Sequence, residues 1–167
     1  MTEAESKREK ARGDALIALR ELRARIELNE SGDPISLDLL DSPVVDEQLA
    51  HLSQLISLEF VYLSGLTRIT DAGLKYLQEL TSLKELDISG NAVSPERRTI
   101  TDAGLEDLRN LSNLEKLNLD RTEVTDEGLR HLIPLTHLRV LSLKETHVTA
   151  AGVNRLQRTL PDCEIVQ

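Results

Sequence analysis

Aromatic residues and cysteine are nearly missing from this sequence. Aromatics make up 2% of its 167 residues: Phe60, Tyr62 and Tyr76, with no Trp. Hydrophobic residues still reach 40%, which excludes wholesale disorder. A core built from this composition must rest mainly on Leu, Ile, Val and Ala, a diet suited to an architecture that repeats one aliphatic layer many times. Cys163 is the only cysteine, so no internal disulfide forms and a disulfide-stapled secreted fold is excluded. Met1 to Lys7 lacks the apolar run of a signal peptide, and no stretch approaches the roughly 18 apolar residues of a membrane span. The expected location is the cytoplasm.

A basic face is missing too. The net charge is −9. Residues 1–30 hold seven basic and seven acidic side chains, and the remaining thirteen basic and twenty-two acidic fall in residues 31–167. Proteins that grip phosphates need clustered positive charge, so neither nucleic acid nor an anionic membrane is expected as a partner.

What is present is a repeat. Residues 69–88, 100–119 and 124–143 align without a gap, each opening on an aliphatic residue, Thr-Asp-x-Gly-Leu, and continuing with Leu at every third position. Ile100, Val124 and Val148 are spaced by 24 residues; Ile69 and Ile100 are 31 apart, a 24-residue step plus a seven-residue insertion at 92–98. A degenerate copy spans 44–63, with Val45-Asp46 for Thr-Asp and Gln48 for the Gly, and a partial copy runs from Val148 to Val166. Within a unit, Leu105, Leu108 and Leu111 read as one stripe of a helix, and Leu117-Asn118-Leu119 as a short strand. Thr70, Thr101 and Thr125 stand where a helix N-cap is needed, with Asp71, Asp102 and Asp126 in the first turn. Gly73, Gly104, Gly128 and Gly152 recur at a helical position where Gly costs about 1 kcal/mol relative to Ala, which implies close packing between layers.

This pattern resembles leucine-rich repeats, most closely the bacterial type rich in Thr-Asp-x-Gly-Leu units, and is similar to the repeats of ribonuclease-inhibitor-like and F-box receptor proteins. The resemblance covers about residues 33–167. It implies an α/β fold: a curved right-handed solenoid with parallel strands on the concave face and helices on the convex face. It implies protein binding as the usual function. No F-box-like segment lies upstream, so no ubiquitin-ligase role is carried over. The expected organisation is an N-terminal capping helix and turn over 1–32, then a repeat domain over 33–167 of about five units including a C-terminal cap. Residues 3–28 read as one helix with Leu16, Leu19, Leu22 and Ile26 on its apolar stripe; its alternative use is association with a partner or a second copy. Pro161 ends the last helix, and Ile165 closes the last layer.

The strands define a candidate site. Leu37, Leu39, Val61, Leu63, Leu86, Ile88, Leu117, Leu119, Leu141 and Leu143 are expected inside; the residues between them face out. Phe60 and Tyr62 fall on outward positions of one strand in a chain otherwise poor in aromatics, and aromatic side chains are common interface hot spots. Neighbouring outward positions carry Glu85, Asp87, Lys116, Asn118, Asp120, Val140 and Lys144. These nine residues are the candidate partner-binding set, and the acidic ones suit a partner with basic groups around an apolar anchor. Asn91, Thr122 and Thr146 are expected to turn inward and satisfy backbone groups at the bends. The insertion, with Arg97 and Arg98, reads either as a tolerated surface loop or as part of a binding face.

No catalytic chemistry is written here. His51, His131, His137 and His147 do not have metal-ligand spacing, Cys163 has no second thiol, and neither a Gly-x-Ser-x-Gly turn nor a phosphate loop occurs. No enzyme, metal or cofactor is expected. The expected function is a non-catalytic protein-binding module working on its concave strand face; the alternative is a structural or regulatory appendage of a larger assembly, associating through its N-terminal helix.

Overall fold

A computed structural model describes residues 2–40, 42–65, 68–90 and 99–167. Asn91 and the insertion with Arg97 and Arg98 lie outside them. The described residues form one sheet of seven strands in sequence order: β1 (Arg25–Leu28), β2 (Pro34–Asp38), β3 (Phe60–Tyr62), β4 (Glu85–Asp87), β5 (Lys116–Asn118), β6 (Val140–Ser142) and β7 (Glu164–Val166). β2 to β7 are parallel, and β1 runs antiparallel to β2. Leu37, Val61, Leu86, Leu117, Leu141 and Ile165 stand in register across the parallel strands, so one aliphatic position stacks through every layer. All ten inward residues named from the alternation are buried, none above 3% exposed.

The returning segments differ from expectation. Among the described residues, apart from a single turn, α2 (Asp71–Leu74), and a regular helix, α3 (Ala150–Thr159), they are 3₁₀ rather than α: Asp46–Gln54, Lys75–Leu77, Gly104–Leu108 and Gly128–Leu132. The Leu spacing explains this. Leu105, Leu108 and Leu111 recur at three residues, which is the 3₁₀ period, and all three are fully buried. An α-helix of 3.6 residues per turn would carry a strict three-residue stripe off the core.

The N-terminal segment is the second correction. It is not one helix over 3–28. α1 spans Glu3–Glu21, and Ile26 belongs to β1. The helix ends in a Schellman turn: Arg23 N–H donates to the Arg20 carbonyl (2.9 Å), Ala24 N–H to the Leu19 carbonyl (3.0 Å), and Arg23 takes the left-handed conformation at φ 66°. No Gly or Pro marks this stop, which is why the sequence conceals it. α1 packs over the 3₁₀ segment of the first repeat and buries Ala15 and Leu19.

The Thr-Asp-x-Gly-Leu motif is a device for joining layers. Each Asp carboxylate reaches forward to the Thr of the next repeat, accepting from its N–H and its hydroxyl. Asp46 holds Thr70 at 2.8 and 2.6 Å, Asp71 holds Thr101 at 2.8 and 2.6 Å, Asp102 holds Thr125 at 2.8 and 2.6 Å, and Asp126 holds Thr149 at 2.7 and 2.8 Å. The same Thr hydroxyls cap their own segments, accepting from Ala72, Ala103, Glu127 and Gly152 N–H. The Gly makes room for the visiting carboxylate. A Cβ on Gly73 would lie 2.5 Å from Asp46 Oδ1, and those on Gly104, Gly128 and Gly152 would lie closer still to Asp71, Asp102 and Asp126. The deviant copies obey the same rule. The first copy has no earlier carboxylate to receive, so Val45 replaces Thr and Gln48 replaces Gly, its side chain accepting from Val45 N–H instead (3.0 Å). The last has Ala150 where a forward-reaching Asp would stand. The three forward hydrogen bonds, from Thr149 first and Arg155 after, hold the Asp126 carboxyl below its ordinary range.

Two outcomes follow in urea unfolding. Gly128→Ala forces a Cβ into the Asp102 carboxylate and costs about 1–3 kcal/mol, but adds little in an Asp102→Ala background, where the obstruction is gone; additive losses would refute the joint. Arg23→Gly relieves the left-handed turn and raises stability by about 0.5–1 kcal/mol.

Candidate functional site

The alternation that buries the Leu column puts its neighbours on the opposite, open face of the sheet. Phe60, Glu85, Lys116 and Val140 share one register row, and Tyr62, Asp87, Asn118 and Ser142 the next. Phe60, Tyr62 and Val140 are half-buried, and Lys116 is exposed. The rows are tied crosswise: Tyr62 Oη donates to Glu85 Oε2 at 3.4 Å, and Lys116 Nζ donates to Glu85 Oε1 at 2.6 Å. A shallow depression of about 250 Å³ centres on this tie, lined by six of the nine candidate residues (Tyr62, Glu85, Asp87, Lys116, Asn118 and Val140) and by Ser142. Phe60 flanks it in register with Glu85.

Several polar candidates also serve the backbone. Asp87 Oδ1 accepts from Ser89 N–H (2.9 Å), and Asn118 Oδ1 from Asp120 N–H (3.0 Å), turns that close the strand ends; Asp38 does the same for Leu40 (2.8 Å). Asn118 Nδ2 donates to Asp87 Oδ2 at 3.2 Å, and Asp120 Oδ1 accepts from Lys144 N–H at 2.8 Å. Asp120 and Lys144 lie outside the depression. Thr122 and Thr146 hydroxyls donate to the Leu119 and Leu143 carbonyls, both at 2.7 Å, the inward ladder anticipated for them.

The face extends further than the sequence suggested. β1 brings Arg25 and Glu27 to it: Arg25 pairs with Asp38 at 3.6 Å, and the Glu27 charge reaches Tyr62. Reading these residues as helix hid that contribution. The electrostatics centre on the tie. Burial first, then the Glu85 charge and hydrogen bond, push the Tyr62 phenol above its ordinary value, while Lys116 pulls it down. The hydrogen bond to Glu85 raises the Lys116 ammonium. Away from this face, burial lifts the Cys163 thiol to about 11. Among the described residues no group of three His, Cys, Asp or Glu side chains is placed to hold a metal, and no helix is long and apolar enough to cross a membrane.

Comparison with known proteins agrees with this architecture. Residues 79–96 and 110–132 match the Leucine Rich repeat family model. No curated protein matches the sequence. Among solved structures, an internalin (inlF) of Listeria monocytogenes is 26% identical, with 71% of this chain and 31% of that chain covered at a TM-score of 0.58. A leucine-rich repeat protein of Leptospira interrogans is 23% identical, covering 80% and 37% at 0.54. A PEPR1–AtPEP1 structure is 20% identical, covering 85% and 19% at 0.54. The chain thus spans well under half the length of each of these proteins. The fold is a leucine-rich repeat solenoid. Domains of this kind generally mediate protein–protein interaction through the extended surface their stacked strands create.

The tie at Glu85 is measurable by ultraviolet titration in a Tyr76→Phe background. The Tyr62 phenol ionises later than a free phenol; Glu85→Gln moves its midpoint down, and Lys116→Ala moves it further up. Indifference to both substitutions would show that the three side chains do not interact.

Proposed function

We propose that this chain is a non-catalytic module that binds another protein on its open strand face, anchored at Phe60 and Tyr62. The observation that carries the reading is the placement of both aromatics, the only Phe and one of two Tyr, on the solvent side of β3 beside a shallow depression. A core aromatic needs no explanation, but two half-buried ones on a polar face do. Tyr62 is half-buried and its hydroxyl lies 3.4 Å from Glu85 Oε2, contacts that restrict its side chain before any partner arrives. Glu85, Asp87 and Asp120 set a negative surround, and Glu27 adds to it from β1. The partner that fits is an extended or convex segment with one apolar group for the aromatic pair and basic groups around it. Lys116, Asn118, Val140 and Lys144 complete the contact surface toward the later repeats. The Thr-Asp-x-Gly-Leu units support a place among bacterial repeat proteins, and the cytoplasm is the proposed location.

Affinity purification from the native cell, read by mass spectrometry, tests this. Phe60→Ala and Tyr62→Ala leave the circular dichroism spectrum and unfolding midpoint close to wild type and weaken capture of the co-purifying protein by about 2 kcal/mol or more each. Undiminished capture by both folded variants would remove the strand face as the site.

A further inference from the structure

We infer that the outer edge of β1 is a self-association surface, where two copies join edge to edge in antiparallel pairing about Ile26. β1 is the terminal strand of the sheet, with β2 on one side only. Its inner pairing fixes which groups face out. Ile35 and Leu39 of the β2 segment direct their backbone groups to the β3 segment, accepting from Glu59 N–H and donating to the Tyr62 carbonyl. Backbone direction alternates along a strand, so Ser36 and Asp38 turn theirs to β1, where they face Glu27 and Arg25. Ile26, between these two, turns its N–H and C=O outward. The register irregularity of the hairpin falls where Leu28 pairs with Pro34. The extra residue is Ile35 on β2, so Arg25 to Leu28 keep a straight outer edge.

Edge strands are usually guarded by charge, which repels any approaching strand. Here the guard matches itself. In an antiparallel pair of two copies with Ile26 opposite Ile26, Arg25 of each copy stands opposite Glu27 of the other, on the same face. That pairing is of the non-hydrogen-bonded type, in which side chains approach most closely. Glu27 has no ion-pair partner among the described residues, and the Arg25 side chain is 79% exposed beside Asp38. On the other face, Ile26 meets Ile26 and Leu28, 43% exposed, meets Ala24. α1 adds an apolar residue at the same end of the solenoid. It buries Ala15 and Leu19 against the first repeat, and Ile17, about half a turn from both, is 58% exposed on the side turned away from the repeats. A second copy is therefore the occupant this edge fits, where an unlike strand would need the same Arg-Ile-Glu order. The two-fold axis stands perpendicular to the sheet, so both strand faces look the same way and join into one.

Sedimentation velocity over a range of concentrations, with the full chain, tests this. Wild type is expected to pass from monomer to dimer. Glu27→Arg and Arg25→Glu each oppose like charges and weaken the dimer by about tenfold, and the double exchange restores it. Circular dichroism confirms that each variant is folded; if Arg25→Glu is not, because it faces Asp38, Glu27→Arg alone decides. Hydrogen exchange gives a second reading: protection of the Ile26 amide rises with concentration. A wild type that stays monomeric at its highest attainable concentration, or a dimer indifferent to Glu27→Arg, or one in which the Ile26 amide exchanges as fast as in the monomer, overturns the inference.

Discussion

One contact recurs between every pair of adjacent layers from the first repeat to the last: a carboxylate gripping the N–H and hydroxyl of a threonine one unit ahead. The sheet hydrogen bonds and the Leu column also run through the layers, but neither fixes the segment opposite the strands. The Asp–Thr grip does. It seats the first turn of each returning segment, leaves the Thr hydroxyl oxygen to cap that turn, and demands a Gly for clearance. Three residue types are thus constrained by one interaction. Each layer touches mainly its neighbours, so stability is set layer by layer, and the joint determines how firmly adjacent layers are coupled.

Much of this was legible in the sequence because a period of 24 residues multiplies every local signal. The strand residues and their inward and outward faces were readable from alternation, since a slip of one position would have turned ten buried aliphatic residues to water. The recurring Gly signalled close packing, although the atom it accommodates, an Asp oxygen from the preceding layer, could only be seen once layers were stacked. Three features escaped. The three-residue Leu spacing reads as helical in the general sense, whereas its strictness selects the tighter 3₁₀ form. The end of α1 was hidden because Arg23 takes a conformation normally signalled by Gly. With the helix carried too far, β1 and its two charged side chains were lost from the strand face. The crosswise tie of Tyr62, Glu85 and Lys116 joins residues of three repeats, and no single stretch of sequence displays it.

The strand face divides into residues that maintain the fold and residues that do not. Asp38, Asp87 and Asn118 look like a polar binding column, yet each spends an oxygen on the backbone where its own strand ends. The side chains of Phe60 and Val140 are apolar and take no part in closing the strand ends. Removing a group with a structural duty perturbs the layer as well as the surface, so the meaning of a change on this face depends on which kind of residue is altered. On the proposed reading, charge around the aromatic pair would act on a partner during approach, and the apolar pair would set how long it stays.

The joint across the long step has the same dimensions as those across the short ones. Thr101 meets Asp71 at 2.8 and 2.6 Å over 30 residues of chain, and Thr125 meets Asp102 at 2.8 and 2.6 Å over 23. The coupling of neighbouring layers is therefore insensitive to how much polypeptide runs between Gly90 and Thr99. Closing a longer excursion there costs only slowly more entropy. A spine latched once per step keeps its register whether the step is 24 or 31 residues long, so chain length and layer spacing are decoupled in this solenoid.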